Sequence, residues 1–254
     1  MYYGPGRART RPAAHGGAED GHGIANGIAR GNAGAATGAA AVLSLLERGQ
    51  YQTFALLLFS IVVSLTCHEY AHAATAKRFG DRTAEQRGRL TLNPLAHMDP
   101  IGLAMIVLIG FGWARPVPVT TRFLTSRWAP ALIAAAGPLV NLALAFLAVN
   151  AGALAASAGV EFASSPDARA LLGPFVTINL ALFLFNLIPL GPLDGHWILP
   201  HLLSTKLARA YVAFNDAYGS LALLGLLMLS FAGVDVFGPL WDAARWLREA
   251  LTLF

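Results

Sequence analysis

The chain has 254 residues, of which 56% are hydrophobic and 13% charged, and its formal net charge is +4. Soluble domains carry about 25% charged residues, so this composition excludes an ordinary water-soluble globule and points to an integral membrane protein. The positive balance does not signal nucleic acid, because the basic residues gather in loops beside apolar runs, where they set membrane topology.

Residues 1–50 are rich in Gly, Ala and Arg, without an apolar periodicity that would offset the entropy of ordering, so a disordered tail is expected there, with His15 and His22 solvated. No secretory leader is expected, since the charged start is not followed by a short apolar core. The region 51–235 then holds four long apolar segments, at about 52–76, 128–156, 170–190 and 211–234. Each is long enough to span a bilayer, which takes about 20 residues.

The first segment carries His68-Glu69-Tyr70-Ala71-His72 near its end. Two imidazoles and a carboxylate are costly in hydrocarbon, about 2.5 to 3.5 kcal/mol for a charged group, so such residues need partners or a function there. On a helix, positions four apart share a face, with Cβ atoms about 5 to 6 Å apart, which lets His68 and His72 bind one metal ion. Glu69, one residue on from the first ligand, can reach a water on that ion and take its proton. Cys67 is the only cysteine, so no intrachain disulfide can form; it is read as packing.

Lys77, Arg78, Arg82, Arg87 and Arg89 follow this segment. Arg115, Arg122 and Arg127 precede the second, and Lys206 and Arg209 the last, whereas the 157–169 loop has only Arg169 beside Glu161 and Asp167. The basic loops are expected in the cytoplasm, which puts the histidine pair near the cytoplasmic face. Between the first two long segments, IGLAMIVLIGFGW (101–113) is too short for a span and leads into ARPVPVTTRF. It reads as a re-entrant segment or a tilted helix entering a small extended hairpin. At the end of the chain, residues 236–254 place Leu240, Ala244, Leu247 and Leu251 opposite Asp242, Arg245 and Glu249, an amphipathic helix suited to an interface with Trp241 and Trp246 as anchors.

A catalytic zinc site takes three protein ligands. The spacing of soluble metzincins would supply the third from position 78, but that residue is Arg78, and Thr75 stands where their glycine belongs. The candidates left are Asp194, Asp99, His97, His196 and His201. Asp194 leads them, because NLIPLGPLDGHW breaks an apolar segment with Pro189, Gly191, Pro192 and Gly195, and broken backbone at membrane depth is tolerated where it lines a cavity or is buried in protein. The competing reading makes Asp194 the cap of the next helix.

HEYAH, NPLAHMDPIG, GWARPVPV, AGPLVN and NLIPLGPLDG occur in that order. Over about residues 52–205 the chain resembles the site-2 protease family of intramembrane zinc metalloproteases, in a short form without a PDZ domain or CBS pair. The resemblance implies Zn2+ held by His68, His72 and Asp194, with Glu69 as general base. It also implies Asn186 steadying the scissile carbonyl or oxyanion, and Asn141 near the site. His196 stands where the family often has a second glycine; His97 and Asp99 are read as shaping the turns at Pro94 and Pro100.

The expected architecture is an all-α polytopic membrane bundle with a small β-hairpin or re-entrant element. The expected activity is hydrolysis of peptide bonds in or near the membrane segment of a single-span substrate protein, in a bacterial cell membrane. Two rivals are a prenyl-protein protease, which needs a glutamate as third ligand, and a catalytically idle scaffold or metal-binding membrane protein.

Overall fold

The computed structural model describes residues 36–253. The expected tail lies outside these residues up to position 35. Its last part does not follow the expectation: Ala36–Glu47 is a helix, α1, with Val42 and Leu45 buried. AVLSLLE supplies the apolar surface that the Gly/Ala/Arg stretch before it lacks.

Among the described residues, four helices are long and apolar enough to cross a membrane: α2 (Tyr51–Arg78), α4 (Ala129–Ser157), α5 (Pro166–Asn186) and α7 (Thr205–Phe231). Shorter helices include α3 (Pro100–Ile109), α6 (Gly195–Leu202) and α8 (Gly238–Leu251). Their ends follow local chemistry. Lys77 and Arg78 close α2, where positive charge favours the helix C-terminus. Asp99 caps α3 through the amides of Ile101 and Gly102, and Ser165 caps α5 through that of Ala168, each with proline at the first helical position.

The bundle centres on α2, α4 and α5, which pack against one another. Ala145, Val176, Leu180 and Ala244 form a buried cluster joining α4, α5 and α8. Polar residues inside the bundle are satisfied locally: Ser60 and Thr66 donate to carbonyls one turn back, Leu56 and Val62. Large leucines face outward, including Leu139, Leu147 and Leu221, each more than half exposed. Such an apolar exterior around a polar-lined interior suits lipid as solvent.

Between α2 and α4 the expected hairpin does not form. Among the described residues there is no strand, only an isolated antiparallel bridge between Met98 and Ala114. Pro116 and Pro118 remove two of the donors a ladder requires. Instead α3 ends at Gly110, and residues 111–114 fold back along it to Met98. The two limbs touch backbone to backbone. A Cβ on Gly102 would lie 2.0 Å from the Trp113 carbonyl oxygen, and one on Gly112 the same distance from that of Gly102.

The amphipathic C-terminal helix is present, and its apolar stripe packs on the bundle. Phe237 lies against Phe185 near the end of α5, Ala244 beside Val176 and Leu180, and Asn150 of α4 binds both the Leu251 carbonyl and the Leu253 amide. Thus α8 runs along α5 in the opposite direction, with Asp242, Arg245 and Trp246 on its exposed face.

Candidate metal centre

The site begins with helix periodicity. His68 and His72, one turn apart on α2, are both buried, with ring centroids 4.6 Å apart and edge-to-face. Asp194 comes from the turn between α5 and α6. Its carboxylate makes no capping hydrogen bond to α6. It points instead at the histidines, with Oδ2 3.1 Å from His68 Nε2 and Oδ1 3.4 Å from His72 Nε2. One ligand atom from each of the three residues lies within 4.8 Å of the others.

The far side of each ring explains why both Nε2 atoms face inward. His72 Nδ1 lies 2.7 Å from the Ile133 carbonyl oxygen, which can only accept, so Nδ1 carries the proton. His68 Nδ1 lies 2.6 Å from Asn141 Oδ1. The Asn141 amide nitrogen donates to the Ser64 carbonyl and to Asn179 Oδ1, and the Asn179 amide donates to Ser64 Oγ. This buried chain across α2, α4 and α5 fixes which end of Asn141 accepts. Both imidazoles therefore turn a lone pair toward Asp194, as metal-ligating histidines do when a fixed acceptor holds their other nitrogen.

With both imidazoles neutral, three acceptors converge there, and they repel one another unless a cation lies among them. Asp194 Oδ2 is buried and has no hydrogen-bond partner. Space is kept by Gly137 on α4, whose hypothetical Cβ would lie 2.4 Å from His72 Nε2 and 2.6 Å from His68 Nε2. The donor set, His2Asp with room beside it, fits a catalytic zinc.

Glu69, also buried, is held from another direction. Its Oε2 accepts a hydrogen bond of 3.1 Å from the Val117 backbone amide. Val117 belongs to the irregular segment 115–120 that follows the fold-back and meets α2 through this bond.

Comparison with known proteins supplies the family. No family model and no solved structure matches the chain. Among curated sequences, it is 42% identical over 192 residues to a Bacillus subtilis protein, YwhC, covering 74% of this chain and 87% of that one. It is 34% identical over 209 residues to Rip2 of Mycobacterium tuberculosis, covering 77% and 74%. With Rip2 of Mycolicibacterium smegmatis the identity is 32%, covering 69% and 67%. All three bear the name "Putative zinc metalloprotease". The chain belongs to the site-2 protease family. Zinc is the ion those names imply, and the cluster accommodates it.

In this member of the family the other candidates, Asn141 apart, fall outside the cluster. Asn186, at the end of α5, donates to the Leu182 carbonyl of its own helix and makes no hydrogen bond to His68, Glu69, His72 or Asp194. Asn141 does enter the site, through His68 Nδ1. His97 is fully buried with Nε2 2.7 Å from the Thr91 carbonyl, and Asp99 caps α3, so both shape the turns as expected. His196 lies by the Leu193 carbonyl and His201 by those of Trp197 and Arg127. Cys67 is half-buried, outside the metal cluster.

Sequence reasoning missed Asn179, Gly137 and the Val117 amide. It also missed Asn215, whose carboxamide pairs with both the N–H and the C=O of Gly191 in the turn leading to Asp194. A signal existed for Asn179, a lone amide within the apolar run TINLALF.

Proposed function

We propose that this protein is an intramembrane zinc metalloprotease that hydrolyses peptide bonds in or near the membrane segment of single-span membrane proteins. The observation that carries this reading is the convergence of two tautomer-fixed imidazoles and one carboxylate beside a second, separately tethered carboxylate. Bound there by His68, His72 and Asp194, zinc would acidify a water and polarise the scissile carbonyl.

The chain's own residues then divide the work. Glu69 accepts the proton of the attacking water on its carboxylate and delivers it to the departing amine nitrogen. The Val117 N–H keeps that carboxylate oriented. Asn141 acts through His68 as a positioning residue, and Asn186 supplies a carboxamide for the scissile carbonyl once it leaves the Leu182 carbonyl. The 115–121 stretch receives locally unwound substrate by main-chain pairing, with Pro116 and Pro118 limiting which positions can pair. Crosslinks from a bound peptide should map there, and their absence would remove this part of the reading. The site lies toward the cytoplasmic side of a bacterial membrane, at the end of α2 followed by basic residues, and residues 51–235 form the protease domain.

The test compares wild-type protein and Glu69→Gln in detergent on a panel of single-span peptides, with bound zinc quantified. Cleavage by the wild type alone, with zinc in both, is expected. A chain that binds no zinc would overturn the proposal.

A further inference from the structure

The stretch between α2 and α3, residues 79–99, contains three buried polar side chains that the reaction does not use: Asp81, Arg89 and His97. Two of these, and the backbone of the third, grip one object. Asp81 Oδ2 accepts the Thr120 N–H at 2.6 Å. Arg89 Nη2 donates to the Arg115 carbonyl, and the Arg115 N–H donates to the His97 carbonyl at 2.8 Å. Residues 115–120 are thus clamped at both ends, and between the clamps the Val117 N–H reaches Glu69.

The prolines at 116 and 118 sharpen the arrangement. They leave Val117 as the one residue between Arg115 and Val119 with a backbone N–H, and that donor is spent on Glu69. A displacement of the clamped stretch by an ångström would take the donor out of hydrogen-bond range. Arg89 is an expensive way to hold a loop, since its guanidinium is buried and its Nε has no partner. Burying an under-satisfied charge is costly.

From this geometry we infer that Arg89, assisted by Asp81, is a positioning residue for the reaction: it sets the orientation of Glu69 by fixing the 115–120 stretch. The inference rests on the protease reading for its kinetic consequence, but its structural half does not. In Arg89→Gln, backbone amides of residues 114–120 should exchange with solvent markedly faster while those of α4 and α5 keep their protection. Glu69→Ala should accelerate exchange in the same stretch, because the coupling works in both directions. With a cleavable peptide, Arg89→Gln should lower kcat about 10- to 100-fold with KM and zinc content unchanged, as a misplaced catalytic group does. Arg89→Lys should recover part of the loss.

Asp81→Asn, which replaces one of two acceptors by a donor, should reproduce the pattern more mildly and serves if Arg89→Gln does not fold. Unchanged exchange at 114–120 in the clamp variants would overturn the inference, as would a loss confined to KM. A wild type that cleaves nothing would instead count against the protease reading, and the exchange data would still decide the clamp.

Discussion

At the residue scale, each imidazole that turns its Nε2 to Asp194 has a specific acceptor behind its Nδ1. Replacing Asn141 with Ala removes the acceptor for His68 Nδ1, and loss of such a partner typically weakens metal affinity about 10- to 100-fold. Competition with a zinc-chelating dye should read the weakening directly. Gly137→Ala attacks the same site from the opposite wall: its Cβ would lie within 2.6 Å of both Nε2 atoms, so the rings must move and bound zinc should fall sharply. An unchanged zinc stoichiometry in Gly137→Ala would show that the rings can yield without losing the ion. Much of this centre could be read beforehand. His68, Glu69 and His72 were legible because helix periodicity alone puts the imidazoles together. Asp194 was legible only through a break in an apolar run and a family resemblance, since its capping alternative has the same local sequence. The Ile133 carbonyl was not legible at all, because any backbone oxygen can serve and the helix crossing decides which one does.

At the element scale, the stretch from α2 to α4 is where reading and structure part. Apolar length identified the spans, but the hairpin failed because a β ladder needs donors that Pro116 and Pro118 lack, and side chains from residues 79–99 took over as partners. Asp81 makes that substitution sensitive to acid. Burial pushes its carboxyl up, but hydrogen bonds from Thr83 and Thr120 outweigh this and hold it below the usual carboxylate range. A group depressed on folding contributes stability above its unfolded value, about 3.9 for aspartate, and loses it as the pH falls through the folded value. The difference in thermal stability between wild type and Asp81→Asn should therefore be full near neutrality and shrink below about pH 4. A difference constant down to acid pH would mean that the carboxylate charge is not what holds Thr120. The fold-back has its own requirement. Gly102→Ala should separate its two limbs and destabilise the protein by about 1 to 3 kcal/mol, the usual cost of forced overpacking, visible as a lowered midpoint in denaturant.

At the scale of the whole molecule, the His68, His72 and Asp194 cluster joins α2 to the turn after α5, so a metal held there would link its binding to stability. Saturating zinc should raise the melting temperature of the wild type, by about 2.7 kcal/mol of stabilisation at 100 times Kd, and should leave His68→Ala unmoved. A melting temperature indifferent to chelation in the wild type would show that the cluster does not hold the ion in the folded state. The same turn is also the main hold on α7. This helix is the least buried of the four candidate spans, and it reaches the rest of the molecule chiefly through α6 and through Gly191, gripped by Asn215 at a π-helical turn, with Tyr211 donating to the Pro189 carbonyl. A spanning helix fastened near its middle and otherwise little packed would be free to change its tilt with the thickness of the bilayer. Because its fastening is the turn that carries Asp194, any such tilt would bear first on the position of that carboxylate beside His68 and His72.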